Sequence, residues 1–229
     1  MAILVSIIIT NHNYGRYLGR CIRSCLDQSL DKNKYEIIVV DDASTDESVE
    51  VIKSFGDRIK PVLLKENKGV ANASNIGIKE ALGYFIIRID ADDYINEHML
   101  LIMSEILEHN QDLGFAYCDH FVVDKDGNKL QRVNMKSLGN LLNHGAGIMF
   151  KKSHLEALGL YNPELKNCED YDLIMRYLKN FDGYHIPLPL YRYTRHDSNM
   201  TNDKEARLDW EQKVLKLNNS QSIKPGDIK

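Results

Sequence analysis

The chain has 229 residues, 43% hydrophobic and 27% charged, with 29 Lys and Arg against 33 Asp and Glu, for a formal charge of −4. A chain of this size and make-up can bury a core without disulfide staples, which excludes a disordered segment and a small stapled scaffold and suits one domain with an appendage. Balanced charge without a Lys/Arg-dense stripe gives little attraction to a phosphodiester backbone, so no nucleic-acid polymer is expected as a partner.

The first predicted element is a strand at Ile3 to Ile9, whose unbroken β-branched and apolar run suits a strand buried on both faces of a parallel sheet. The run Met1–Thr10 meets polar Asn11-His12-Asn13 at once. It lacks a basic leader and the ~20 apolar residues of a membrane span, so a cytoplasmic address is expected. Apolar periodicity through Tyr17, Leu18, Cys21, Ile22, Cys25 and Leu26 predicts a helix, followed by strand Tyr35–Val40 and helix Glu47–Phe55, with Ser44 or Thr45 as candidate cap. Strand Ile59–Leu64, helix Val70–Leu82 and strand Tyr84–Ile89 complete a βαβαβαβ series, which implies helices on both sides of a mainly parallel sheet. Beyond Asp90 the pattern turns mixed. It runs through helix Asn96–Glu108, short strands Phe115–Val123 and Lys129–Val133, strand Ile148–Phe150, helix His154–Leu158, helix Asp170–Lys179 and strand Ile186–Tyr193. From Asn202 charges and amides dominate, with an amphipathic pattern around Ala206–Leu217, and a loosely attached terminus is expected. Cys21, Cys25, Cys118 and Cys168 lack CxxC spacing and read as reduced core thiols.

In open parallel α/β sheets ligands sit outside the carboxyl ends of the strands. Here those ends deliver Thr10-Asn11-His12-Asn13, Asp41-Asp42, Glu66-Asn67-Lys68-Gly69 and Asp90-Ala91-Asp92-Asp93. The carboxylates after the fourth strand repel one another unless a cation or several donors neutralise them, and hard oxygen ligands suit Mg²⁺ or Mn²⁺. The competing reading is an acidic turn that caps the next helix. Asp41-Asp42 carries the same pair of readings, capping or recognition of a nucleobase N–H, with His12 either structural or stacked on the base. Asn167-Cys168-Glu169-Asp170-Tyr171-Asp172 opens a helix and supplies either caps or a general base for an acceptor hydroxyl. His196 is a candidate metal ligand or, beside Arg195, a phosphate contact. Gly145 and Gly147 either let backbone approach a sugar or acceptor or form a plain strand-entry turn. Neither a Gly-x-Gly-x-x-Gly turn nor a P-loop is present, which disfavours dinucleotide cofactors and P-loop phosphate handling.

Together these pieces resemble the glycosyltransferase family 2 pattern on a GT-A fold, over roughly Val5 to Thr201. The matching stretches are Ser6-Ile-Ile-Ile-Thr10-Asn-His-Asn13, Ile38-Val-Val-Asp41-Asp42-Ala-Ser44, Asn67-Lys-Gly69 through Asn75-Ile-Gly77, Ile89-Asp90-Ala-Asp92-Asp93 and Glu169-Asp170-Tyr-Asp172-Leu. The resemblance implies an α/β nucleotide-diphospho-sugar transferase domain at 1–201, with a nucleotide-binding half to about residue 95, an acceptor and catalytic half after it, and a helical or flexible tail at 202–229. It implies inverting transfer of a sugar, a UDP-sugar favoured, to a glycan, lipid-linked or small-molecule acceptor hydroxyl, as in bacterial-type surface polysaccharide or glycoconjugate synthesis. Asp42 looks like the base-recognition carboxylate with Thr10, His12, Asn13 and Asn75 around the nucleotide. By the same resemblance Asp90 looks placed toward the ribose or metal, Asp92 looks like the ligand of Mn²⁺ or Mg²⁺, His196 like the late metal- or diphosphate-contacting residue, and Asp170 like the catalytic base. Gly147, Glu169 and Arg195 remain as acceptor or donor-sugar contacts. The chain departs from the pattern at His12, where many relatives carry an aromatic residue, and at Ser74, where many carry Arg.

Two other functions compete: a nucleotidyltransferase or sugar pyrophosphorylase, which usually shows a Gly-rich basic loop that Asn11–Arg16 does not resemble, and a non-catalytic nucleotide-sugar-binding protein. The tail is a candidate for homodimerisation or for peripheral contact with the inner membrane face, although Lys204, Arg207, Lys213 and Lys216 interleave with acids as in a solvated helix.

Overall fold

A computed structural model describes residues 2–143, 145, 147–197, 199 and 204–218. The chain alternates strand and helix as far as residue 90: β1 (Val5–Asn11), α1 (Gly15–Leu26), β2 (Tyr35–Asp41), α2 (Ser48–Ser54), β3 (Lys60–Leu63), α3 (Val70–Glu80) and β4 (Phe85–Asp90). It continues with β5 (Tyr94–Ile95), α4 (Met99–His109), β6 (Leu113–Val123), β7 (Lys129–Val133), α5 (Leu138–Asn143), β8 (Ile148–Lys151), α6 (Lys152–Ala157), α7 (Glu169–Leu178), β9 (Asp182–Thr194) and α8 (Lys204–Leu217). Sequence periodicity did not pick out β5, two residues long, or α5, which carries Gly139. Of the tail expected at 202–229, only 204–218 lie within the described residues.

Among the described residues one sheet runs β3-β2-β1-β4-β8-β6-β9-β5, with β7 paired to β6. The β1–β2, β1–β4 and β2–β3 pairs are parallel, whereas β8 runs antiparallel to both β4 and β6. The expected parallel first half and mixed second half therefore belong to one continuous sheet.

Period-two alternation divides the apolar residues between two cores. Ile7, Ile9, Val39 and Ile87 face α1 and α4, while Ile8, Ile38, Val40 and Ile86 face α3 and the helices of the second half. Each fully buried isoleucine contributes about 1.5–3 kcal/mol of apolar burial. Gly77 lets α3 approach the sheet, because a Cβ there would overlap Ile8. Cys21, Cys25 and Cys118 are buried free thiols as expected, but Cys168 is only half-buried and faces the cavity described below. Among the described residues no helix is long and apolar enough to cross a membrane.

Candidate active site

The carboxyl ends of β1, β2 and β4 open into a cavity of about 710 Å³, closed on the other side by the start of α7. Thr10, His12, Asp42, Asp90, Asp92, Glu169 and Asp170 all line it. Asn13, Asn75, Gly147, Arg195 and His196 do not, although His196 Nε2 lies 2.9 Å from Asp92 Oδ2.

Neither acidic cluster supplies a side-chain cap, although Glu169, Asp170 and Asp172 do lie in the first turn of α7. The N-cap of α4 is His98 with no side-chain cap bond, and its early amides are met by Asn96 and Gln28. The N-cap of α7 is Cys168, in the left-handed region at φ 60° and again without a side-chain cap bond. Nor does Ser44 or Thr45 cap α2. Asp46 accepts the Ser48 N–H at 3.0 Å, while Ser44 donates to Asp41 at 2.6 Å.

At the ends of β1 and β2, Asp41 fixes the turn by accepting from Asn11 and Ser44. Asp42 accepts the Lys68 and Gly69 N–H groups at 2.7 and 2.8 Å, so it braces the β3–α3 loop while facing the cavity. His12 Nδ1 lies 2.7 Å from the Asp42 carbonyl. Asn13, at φ 60°, accepts the Thr45 N–H at 2.7 Å. Asn75 exchanges two hydrogen bonds with the Tyr161 backbone, clamping α3 to the segment before α7 rather than pointing into the cavity. Gly147, at φ 72°, packs on Tyr191, and Arg195 is exposed with its N–H on Val123.

The three carboxylates at and just after the end of β4 have different surroundings. Asp93 is buried and accepts from Tyr191 Oη and the Thr194 N–H, each at 2.7 Å, which ties the end of β9 to this turn. Burial and the neighbouring Asp92 and Asp90 push its carboxyl well above the usual range. Asp92 Oδ2 lies 2.9 Å from His196 Nε2 and 3.3 Å from Asn199 Nδ2. The His196 ring stacks on Tyr17 at 4.9 Å between centroids, and Arg20 donates to the Asp92 carbonyl and to Thr194. Asp90 carries a raised carboxyl, lifted by burial and by Asp92 against the pull of Arg88.

The Asp92/His196 pair suits a divalent cation. A carboxylate oxygen and an imidazole nitrogen are ligand types that Mn²⁺ accepts, and here the two meet directly as a hydrogen-bonded pair at 2.9 Å. Among the described residues no group of three or more His, Cys, Asp or Glu forms a closed cage. Any cation at this pair would take its remaining ligands from substrate oxygens and water, as Mg²⁺ usually does.

Sequence reasoning missed Arg88, the cation at the centre of the site. Its side chain is 6% exposed. Nη1 lies 3.0 Å from Glu169 Oε1, Nη2 2.7 Å from Asp170 Oδ2 and Nε 3.3 Å from Asp90 Oδ1. Burial, then Glu169 and Asp90, push the Asp170 carboxyl up to about 7 against the Arg88 charge. Gly145 makes room for this carboxylate, since a Cβ there would overlap Asp170. The signal for Arg88 was present: a charged residue in the run Phe-Ile-Ile-Arg-Ile, in phase with inward-facing Ile86. A buried charge demands partners.

Solved structures share this architecture. S. aureus TarS 1–349 in complex with UDP-GlcNAc matches with a TM-score of 0.79 at 20% identity, over 96% of this chain and 68% of that one. The Pyrobaculum calidifontis mannosyltransferase PcManGT in complex with GDP-Man and Mn²⁺ matches at 0.77 and 16%, over 99% and 67%. The fold is thus that of the GT-A glycosyltransferases. An uncharacterized glycosyltransferase of Rickettsia typhi is 32% identical over 216 residues, 87% of this chain and 66% of the relative. The chain spans still less, 59% and 30%, of two further rickettsial relatives. The family model described as Glycosyl transferase family 2 matches residues 6–164, well over half of the sequence, and the chain belongs to that family.

Proposed function

We propose that this chain is a divalent-metal-dependent, inverting glycosyltransferase that moves a hexosyl or N-acetylhexosaminyl group from a nucleotide-diphosphate donor, a UDP-sugar favoured, to an acceptor hydroxyl. The observation that carries the reading is the shared cavity: Asp42, Asp92 and Asp170, far apart in sequence, all face it. TarS bound to UDP-GlcNAc and PcManGT bound to GDP-Man and Mn²⁺ support a nucleotide-sugar donor and a metal.

In this reading Thr10, His12 and Asp42 receive the nucleotide and Asp90 its ribose. Asp92 and His196 would hold Mn²⁺ or Mg²⁺, which supplies positive charge where the diphosphate gains negative charge on departure. Asp170 takes the proton of the acceptor hydroxyl. A carboxyl held at about 7 suits this work at neutral pH, being ionised in a large fraction of molecules yet basic enough to accept a proton. One such base suffices for a single displacement, which inverts the anomeric carbon. Bacterial-type surface polysaccharide or glycoconjugate synthesis, at the cytoplasmic side and with peripheral contact with the inner membrane face, is the proposed setting.

The test is thermal stabilisation by a panel of nucleotide sugars with and without Mn²⁺. One donor class should raise the melting temperature in the presence of Mn²⁺, and that donor should release its nucleoside diphosphate on incubation. Stabilisation equal with and without Mn²⁺, or no release of diphosphate from any donor that binds, would refute the proposal.

A further inference from the structure

Arg88 stands on β4 in the middle of the sheet, in phase with inward-facing Ile86, where an apolar side chain would otherwise complete the core. Its guanidinium instead spans three carboxylates: Glu169 at 3.0 Å, Asp170 at 2.7 Å and Asp90 at 3.3 Å. The Tyr161 ring lies 5.2 Å from its central carbon and covers one side. Asp170 Oδ2 receives Nη2, and among the described residues no donor meets Oδ1. With Gly145 backbone against its Cβ, the Asp170 side chain has little room to turn.

We propose that Arg88 is a positioning residue for the transfer reaction: its planar fork fixes Glu169 and Asp170 in a single orientation, leaving one Asp170 oxygen free for the acceptor hydroxyl. This rests on the reading of Asp170 as the base. Two consecutive carboxylates at a helix start point in different directions, and a bidentate donor reaches both at once, whereas a Lys ammonium is a point charge that cannot reproduce the fork. Arg88 also contacts Asp90, so the same guanidinium links the donor-side carboxylate to the base. The groups around Asp170 are Arg88 and Asp90 on β4, Glu169 on α7 and Tyr161 from the segment before it.

The alternative is that Arg88 merely neutralises buried acids. Arg88→Lys separates the two, because it keeps the charge and removes the fork. Binding of UDP with Mn²⁺, read by calorimetry, should stay within about twofold. Turnover of the nucleotide sugar that the unsubstituted chain hydrolyses fastest should fall at least about tenfold in kcat, with a smaller change in KM. Wild-type kcat in Arg88→Lys overturns the proposal, as does a loss of UDP binding that matches the loss of turnover. Should Arg88→Lys not fold, Arg88→Gln/Glu169→Gln, which removes one charge of each sign, carries the same comparison against Glu169→Gln alone. Failure of both to fold assigns Arg88 to the core and overturns the proposal. Asp170→Asn is assayed in parallel. Lost turnover there with wild-type turnover in Arg88→Lys removes only the positioning role, whereas wild-type turnover in Asp170→Asn removes the base as well.

Discussion

Asp170→Asn should slow transfer and stabilise the fold, and the second effect has a pH signature. The carboxyl rises from an ordinary 3.8 to about 7, chiefly through burial. Between those values the folded chain holds a proton that the unfolded chain has released. The corresponding stability is fully present below pH 3.8 and is lost as pH rises through about 7. The full difference of about 3 in pKa, at about 1.36 kcal/mol each, amounts to about 4 kcal/mol, of which about 3 kcal/mol falls between about pH 5 and pH 8. The amide of the variant carries no such proton, so its advantage over the wild-type chain should widen by about 3 kcal/mol across that interval. Urea unfolding of both proteins at about pH 5, 6, 7 and 8 measures it. Turnover should fall by about 10²–10⁴, the contribution typical of a general base. A stability gap that stays constant with pH would refute the raised carboxyl, and wild-type turnover would refute the base.

Asp92→Ala should weaken Mn²⁺-dependent binding of UDP by at least about tenfold and leave metal-free binding unchanged, as calorimetry would show. Gly145→Ala places a methyl on Asp170. A displacement of ~1 Å should cost about 10² in kcat while UDP–Mn²⁺ affinity holds, so unaltered kcat in steady-state assays would contradict this packing. Ala43 sits in the left-handed region at φ 57°. Ala43→Gly should stabilise the chain by about 1 kcal/mol, raising the melting temperature by about 2–4 °C, and a fall would show that the turn is not strained.

Much of this architecture was legible because local pattern and burial agree. The runs Ile7-Ile8-Ile9 and Ile38-Val39-Val40 are apolar on both faces, and both faces are covered. Strand and helix alternation up to Asp90 left little choice but a parallel sheet. The second half was harder. β6 and β9 extend beyond their expected limits to Leu113 and Asp182, where Gly114 and Gly183 weaken the strand pattern. Those glycines are explained only by contacts distant in sequence, since a Cβ at either would overlap Phe181 or Phe115.

The acidic positions of the site were visible for a different reason: strand ends in this topology converge, so a polar tail after each strand is already a spatial statement. What the sequence could not distinguish was which carboxylate braces and which is left to react. Asp41, Asp42, Asp92 and Asp93 all stand at or just after strand ends, yet Asp41, Asp42 and Asp93 have both oxygens engaged by the protein itself. That difference depends on Ser44, the Lys68-Gly69 backbone, Tyr191 and Thr194, partners contributed by other segments. Arg88 makes the same point from the cationic side. A lone Arg in an apolar strand first suggests an edge position, and only the return of Glu169 and Asp170 from 81 and 82 residues away converts it into a paired buried charge. A three-way ion pair of this kind is costly to desolvate and gives little net stability against an apolar replacement. Its place in the lining of the cavity, with no donor on one Asp170 oxygen among the described residues, therefore fits the proposed orienting role better than stabilisation of the fold.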